Sequence, residues 1–538
     1  MARIVLVADK ADVLTKEVLR TLKEVQSTHE YSLIDSSWDG LPSGIPRQSC
    51  CIYIPSRLGR YGMVPNLLEA RRVLKQLSEA PLQKTILVSS AQIYGASCGR
   101  QSLASEGYSV PGDQNQTICD DWTSLETLAA EFLKLCCQLT ILRPVTILPS
   151  RSLLSRFLER RVVPTLPGHD PALQLLSVSD FARALICSVE QDKEGTFNVS
   201  PDEVVPLHAA VRLAGGRRLP IPRTLQRLIR GSETLDYLRY PWTILNSKIK
   251  NELGFAPAKS SLEALLEQQP GRNGASPPKA AFDPFGMDPN YIRFYGNTLF
   301  RFLCNYYWRI ELKGLEHLPR EGAGILIGPH RGFMPFDGVM TLHVLAQNIG
   351  RFPRFLVHPG LLKFPFLSNF MTKLGGIIAS QESASHVLQS GEILGLFPEG
   401  IKGAFSRYRD AYTLQAFGRD TFVKLALQHR VPILPFLTVG SAEIFPILGK
   451  IKSQLWTRYS EWPCLPITPT FPLLPVPLPS KWHMQFLPPI HVERRYPAEA
   501  AQDRKLVKAI SLEVRTQMQR VWDQMVARRR AIFWGSIF

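Results

Sequence analysis

The sequence predicts two consecutive α/β domains, the first built on a doubly wound parallel sheet. Three observations carry that expectation. Short β-branched runs alternate with helical patterns through the first half of the 538 residues. A Pro-, Gly-, Ala- and Ser-rich stretch, QQPGRNGASPPKAAFDPFGMD from Gln268 to Asp288, then breaks the alternation and has little to bury, as expected of a linker. A second series of apolar runs follows it, long enough for a core of its own.

Each element has its own justification. Arg3–Val7 (RIVLV), Cys51–Ile54, Thr85–Val88 and Leu139–Leu142 are short, β-branched runs of the kind covered on both faces in a parallel sheet. Leu14–Val25 and Asn66–Leu77 show helical spacing between them. Past the linker come a helix around Tyr291–Trp308 and strands at Gly324–Ile327, Arg354–Val357, Glu392–Phe397 and Val431–Val439, with a basic helix near Asp503–Arg530. The expected domains are therefore residues 1–267 and 289–538, joined by residues 268–288.

Composition narrows the function classes. Hydrophobic residues make up 45% and charged residues 20%, which excludes disordered, collagen-like and coiled-coil chains. The net charge of +17 is concentrated late: from Asp283 onward there are 30 basic and 18 acidic residues. Such a field attracts anionic ligands, whether nucleic acid, an acidic lipid surface or a phosphorylated substrate. No nucleic-acid-binding signature accompanies it, so nucleic acid is not the expected partner. The nine cysteines include two adjacent pairs but no C-x-x-C and no zinc spacing, which predicts reduced thiols, a cytoplasmic setting and no metal site. The N-terminal MARIVLVADKADVL is too short in its apolar run for a signal peptide, and no run of 18 apolar residues occurs, so any membrane contact is expected to be peripheral.

Several stretches of the first half then point to a family. Val88-Ser89-Ser90-Ala91-Gln92-Ile93-Tyr94-Gly95, Leu142-Arg143-Pro144, Leu176-Ser177-Val178-Ser179-Asp180 and Gly195-Thr196-Phe197-Asn198-Val199 resemble motifs of the extended short-chain dehydrogenase/NAD-dependent epimerase family across roughly residues 2–267. The resemblance implies a Rossmann-like sheet. The residues argue against its chemistry. Close approach to a pyrophosphate needs glycines after the first strand, yet the turn reads Val7-Ala8-Asp9-Lys10-Ala11-Asp12-Val13 and the first glycine in the chain is Gly40. Where the family's catalytic tyrosine and lysine should fall, four residues apart, stand Trp122 and Glu126. The indole has no phenol proton to give and the carboxylate no cation to offer. A degenerate domain that does not bind NAD(P) is expected, with Ser89, Ser90 and Tyr94 as packing residues.

The second half carries its own constellation. Ile325-Leu326-Ile327-Gly328-Pro329-His330 sets a histidine just past an apolar strand, and Asp337 follows seven positions later, with Gly332 and Pro335 able to turn the loop back. A general base needs such a partner to fix its tautomer and stabilise its cation. Leu394-Gly395-Leu396-Phe397-Pro398-Glu399-Gly400-Ile401-Lys402-Gly403 runs a strand into a glycine-punctuated loop suited to a polar or anionic ligand, followed by Arg407, Arg409 and Arg419. Val431-Pro432-Ile433-Leu434-Pro435-Phe436 completes the set.

On these segments residues 283–538 resemble the glycerolipid (lysophosphatidate/glycerol-3-phosphate, PlsC-type) acyltransferase family. The resemblance implies that His330 is the general base and Asp337 its orienting partner. Phe397, Pro398, Glu399, Gly400 and Lys402, with Arg407, would hold the acceptor head group. It implies acyl-CoA or acyl carrier protein as donor, a glycerolipid acceptor, an anionic membrane surface as partner and no further cofactor. Two departures stand out: six residues separate His330 from Asp337 where four are common, and Lys402 replaces an arginine, losing the bidentate fork. The greasy run Leu361–Met371 and Ile532-Phe533-Trp534 are candidate lipid-facing segments. The competing readings are a nucleotide-sugar epimerase or dehydratase in the first half and a non-enzymatic membrane scaffold.

Overall fold

The computed structural model describes residues 3–25, 29–37, 45–46, 48–58, 63–97, 103–108, 117–150, 152–221, 235–268, 282–362, 364–418, 420–460, 462–474 and 476–538. These residues form two compact units, Met1–Met287 and Asp288–Phe538. Residues 269–281 of the expected linker, and Arg419, lie outside the described residues. The linker's described end belongs with the first unit, where Phe282 bridges to Val204.

In the first unit six parallel strands form one sheet: β1 (Arg3–Ala8), β2 (Glu30–Asp35), β3 (Ser49–Tyr53), β4 (Leu82–Val88), β5 (Gln138–Pro144) and β6 (Gly195–Val199), in spatial order β2-β1-β3-β4-β5-β6. All five residues of β3 are buried, the pattern of a strand covered on both faces. The covering helices are α1 (Val13–Val25), α2 (Leu67–Ser78), α3 (Thr117–Leu133) and α4 (Val178–Glu190), with α1 packed on α4 and α2 on α3. Asn66 starts α2, its side chain accepting from the Glu69 N–H. This is a doubly wound, Rossmann-like sheet. The strand order reverses between β1 and β3, the place where such folds open their binding crevice.

The second unit holds a seven-stranded mixed sheet. Its strands are β7 (Glu311–Lys313), β8 (Gly324–Ile327), β9 (Arg354–Val357), β10 (Ile377–Ile378), β11 (Ile393–Leu396), β12 (Ile433–Val439) and β13 (His483–Phe486). Their order is β7-β13-β12-β8-β11-β9-β10, with only β12 and β13 antiparallel. The helices include α5 (Pro289–Tyr295), which continues through two wide π-helical turns to Tyr307, α6 (Phe336–Asn348), α7 (Pro365–Lys373), α8 (Gln381–Gln389), α9 (Gly400–Ala404), α10 (Thr421–His429) and α11 (Arg504–Arg528). Leu326, Phe436, Met484 and Phe486 meet Val344 and Leu345 of α6 in a buried cluster. Because β11, β8 and β12 are neighbours and parallel, the loops leaving their C-terminal ends are brought side by side.

Candidate active site

The loops after β8 and β11 carry the residues singled out by the sequence, and β12 lies beside them. His330 follows β8 by three residues, and its loop doubles back through positive φ at Gly332 (75°) and Phe333 (38°). Phe333 is a non-glycine residue in the left-handed region, a costly backbone state. Its ring is wedged among Phe405, Phe445, Trp462 and Phe471, and its N–H donates to the Ala404 carbonyl at 2.9 Å. The turn delivers Asp337, in the first turn of α6, to His330: Nδ1 lies 3.1 Å from Asp337 Oδ2.

Asp337 is fully buried. The same Oδ2 accepts the Arg331 backbone N–H at 2.8 Å, and the Thr438 hydroxyl on β12 approaches Oδ1 at 3.5 Å. A buried carboxylate held by neighbouring donors is a fixed partner for an imidazole. With the proton on Nδ1, His330 donates to Asp337 and keeps Nε2 as an acceptor.

Phe397 stacks on the imidazole, with ring centroids 4.8 Å apart and planes inclined by 27°. Phe355 stacks behind it at 5.4 Å, and Phe436 meets its edge. Pro398 is buried and Gly400, at φ 57°, opens α9. Lys402 and Arg407 are exposed.

Glu399 occupies a different place from the one its motif suggests. It is buried, and its carboxylate pairs with the Arg331 guanidinium, Oε2 to Nη1 at 2.6 Å and Oε1 to Nη2 at 3.1 Å. Oε1 also accepts the Gln415 N–H. A Cβ on Gly403 would stand 2.8 Å from Glu399 Oε2, so the glycine makes room for that carboxylate.

Arg331, Thr438 and Trp522 were not selected as site residues from the sequence. The indole N–H of Trp522 on α11 donates to the Thr438 carbonyl at 2.9 Å, and its ring lies 5.1 Å below the Arg331 guanidinium. Arg331 carried one signal, a charged residue directly after the candidate histidine. Thr438 and Trp522 carried none, because their roles depend on contacts between distant segments.

The crevice of the first unit is arranged differently. Glu126 accepts from Ser89 Oγ at 2.6 Å and forms a two-point pair with Arg143, at 2.8 Å to Nε and 2.6 Å to Nη2. Arg143 Nη1 donates to the Tyr94 hydroxyl at 2.7 Å, which itself donates to Asn198 Oδ1 at 2.7 Å. Burial pushes the Tyr94 phenol up to about 12. Trp122 is buried, its N–H donating to the Met63 carbonyl at 2.9 Å, and Arg57 lies over its ring at 5.3 Å. In the β1–α1 turn, Asp9 Oδ1 accepts the Ala11 N–H at 2.7 Å, so a side-chain carboxylate takes a backbone donor that the glycine-rich version of this turn offers to phosphate.

Residues 309–439 match the family model described as Acyltransferase. Two mycobacterial relatives, the uncharacterized protein Rv0502 of Mycobacterium tuberculosis and ML2427 of Mycobacterium leprae, are each 37% identical over 259 residues; the match spans 47% of this chain and 72% and 70% of theirs. A Bos taurus protein described as a DGAT1/2-independent enzyme synthesizing storage lipids is 27% identical over 164 residues, 30% of this chain and 48% of its own. Among solved structures, MoeE5 in complex with UDP-glucuronic acid and NAD is 16% identical, covering 48% of this chain and 96% of its own, with a TM-score of 0.38. The UDP-N-acetylglucosamine 4-epimerase of Bacillus cereus is 14% identical over 49% of this chain and 97% of its own, also with a TM-score of 0.38. Through its second unit, with His330 and Asp337 brought together at the ends of parallel strands, the chain belongs to the acyltransferase family.

Proposed function

We propose that the chain is an O-acyltransferase that moves a fatty acyl group from acyl-CoA or acyl carrier protein to the hydroxyl of a lysophosphatidate-like glycerolipid. The observation that carries this reading is the 3.1 Å contact between His330 Nδ1 and the buried Asp337 carboxylate. His330 Nε2 takes the proton of the acceptor hydroxyl as its oxygen attacks the thioester carbonyl. Asp337 stabilises the imidazolium, which returns the proton to the departing thiolate. One ester C–O bond forms, one thioester C–S bond breaks, and the proton passes from oxygen to sulfur, so no cofactor enters the balance.

Phe397 sets the tilt of the imidazole through its stack, while Pro398 and Gly400 shape the loop beside it. Lys402 and Arg407, both exposed, supply cations for an acceptor phosphate. Glu399 serves the head-group site by holding its loop, because its carboxylate is spent on Arg331 and Gln415. In the first unit, the Ser89–Glu126–Arg143–Tyr94 network satisfies its own polar groups, which supports a non-catalytic domain that binds no NAD(P) and disfavours the epimerase reading.

The same reading puts the chain at the cytoplasmic, inner face of a membrane without crossing it. Among the described residues no helix is long and apolar enough to span. Phe294, Phe302 and Tyr306 are exposed beside Arg293 and Arg301 on α5 and its extension, and Phe366 on α7 is 74% exposed. Aromatic and basic side chains together suit an anionic lipid surface.

The test is acyl transfer from acyl-CoA to a panel of lysolipids, read by lipid mass spectrometry. Wild type is expected to acylate a phosphate-bearing lysolipid, and His330→Ala to lose about 10²–10⁴-fold in rate. Transfer by His330→Ala at the wild-type rate would overturn the mechanism.

A further inference from the structure

We propose that Arg331 is a positioning residue, a buried strut that ties the loop carrying His330 to the loop carrying Phe397 and to the chain at residues 411–415. The proposal rests on His330 being the base, but it concerns what holds His330 rather than what His330 does.

The guanidinium is buried, and every one of its N–H groups has an acceptor. Nε donates to the Ala411 carbonyl at 2.6 Å. Nη1 donates to the His330 carbonyl at 2.8 Å and to Glu399 Oε2 at 2.6 Å. Nη2 donates to the Thr413 carbonyl at 3.0 Å and to Glu399 Oε1 at 3.1 Å. Five donors in a rigid fork therefore meet three separate chain segments, which a lysine, with three donors on one atom, does not reproduce. Trp522 supports the guanidinium from its remaining side at 5.1 Å.

Energetics point to position rather than to stability. A buried ion pair repays little more than its own desolvation, and an apolar pair of similar volume folds about as well. What the pair does supply is geometry. Arg331 holds the carbonyl of the residue that carries the imidazole, and its own N–H fixes Asp337. Glu399 lies two residues from Phe397, the ring on which the imidazole rests. The two faces that define the direction of His330 Nε2 are thus joined through one guanidinium. A shift of about 1 Å in a catalytic group is enough to cost on the order of 100-fold in rate.

The test uses the full chain with Arg331→Met, Arg331→Lys and the double replacement Arg331→Met/Glu399→Met, the last removing both buried charges together. Folding is checked by thermal unfolding, and kcat and KM are taken per folded molecule. Arg331→Met and the double variant are expected to lose about 100-fold in kcat with donor KM little changed, and Arg331→Lys to recover part of the loss. A folded double variant with wild-type kcat overturns the proposal. A second readout does not depend on acyl transfer: the rate at which diethyl pyrocarbonate modifies His330, followed by peptide mass spectrometry. The strut predicts severalfold faster modification in the folded double variant, with His317 as internal reference. An unchanged rate overturns the proposal, whereas a wild-type chain without transferase activity but with this change overturns the functional reading alone.

Discussion

Trp522 donates its indole N–H to the backbone carbonyl of Thr438, 84 positions earlier and 2.9 Å away. Thr438 is also the residue whose hydroxyl faces Asp337 from β12. The long C-terminal helix thus bears directly on the strand behind the His330–Asp337 pair. Trp522 is among the fully buried side chains. Truncating such a residue to alanine costs about 3–5 kcal/mol. Trp522→Phe keeps most of the packing and loses one hydrogen bond, about 1 kcal/mol. Denaturant unfolding of the two variants is expected to rank them in that order. Trp522→Phe is also expected to lower kcat, since Thr438 loses the contact that positions it.

Glu126 and Arg143 make the corresponding test in the first unit. Both side chains are nearly buried, at 11% and 12% exposure, and they meet at 2.6 Å. Removing one partner of such a pair strands a charge, which costs about 3–5 kcal/mol. Glu126→Ala is therefore expected to lower the unfolding midpoint sharply and Glu126→Ala/Arg143→Met to recover much of it. Millimolar NAD or NADP is expected to leave the midpoint of the wild-type chain unchanged. A ligand-induced rise would overturn the reading of this unit as one that binds no NAD(P).

The parts of this architecture that the sequence announces are those governed by local pattern. The short runs at Gly324–Ile327 (GILI) and Arg354–Val357 (RFLV) become β8 and β9 with the expected bounds, and the basic helix ends within two residues of expectation. β2 escapes because Glu30–Asp35 is a half-exposed edge strand with polar residues interleaved. β13 escapes because HMQF is four residues among prolines and pairs antiparallel with a strand far away in sequence. At the site, His330 and Asp337 are legible because one short loop joins them. The Arg331–Glu399 pair is not, because nothing in the spacing of two residues 68 positions apart says that a guanidinium is buried between their loops.

His343 gives the second unit a dependence on pH. It sits on α6, buried against Phe300, and burial lowers its pKa from the usual 6.5. Burial likewise lowers His429 and His483. A histidine whose folded pKa is depressed binds its proton more readily when unfolded. Its contribution to stability is complete above about pH 6.5 and is lost as pH falls below that value toward the folded pKa. Denaturant midpoints measured from pH 7.5 down to pH 5 are expected to fall, and His343→Phe to flatten the slope. An equally steep decline in that variant would assign the effect to other groups.

Gly395 tests the ring stack against the His330 imidazole. A Cβ at this position of β11 would lie 2.7 Å from the ring of Phe355. Phe355 stacks on Phe397 at 5.4 Å and Phe397 on His330 at 4.8 Å, so one added methyl group pushes on the imidazole through two rings. Overpacking of this kind costs about 1–3 kcal/mol, leaving a folded chain. Gly395→Ala is expected to lower kcat by more than tenfold, in line with the sensitivity of a positioned base to small displacements, while the acceptor KM, assigned in the proposed function to the exposed Lys402 and Arg407, is expected to change little. Gly395→Ala/Phe355→Leu removes the ring that the methyl group strikes and is expected to regain stability. It is not expected to regain full activity, because Phe397 then lacks its support. Steady-state kinetics on the two variants separate these effects: a double variant restored in both respects would show that Phe355 matters to the site only as an obstacle.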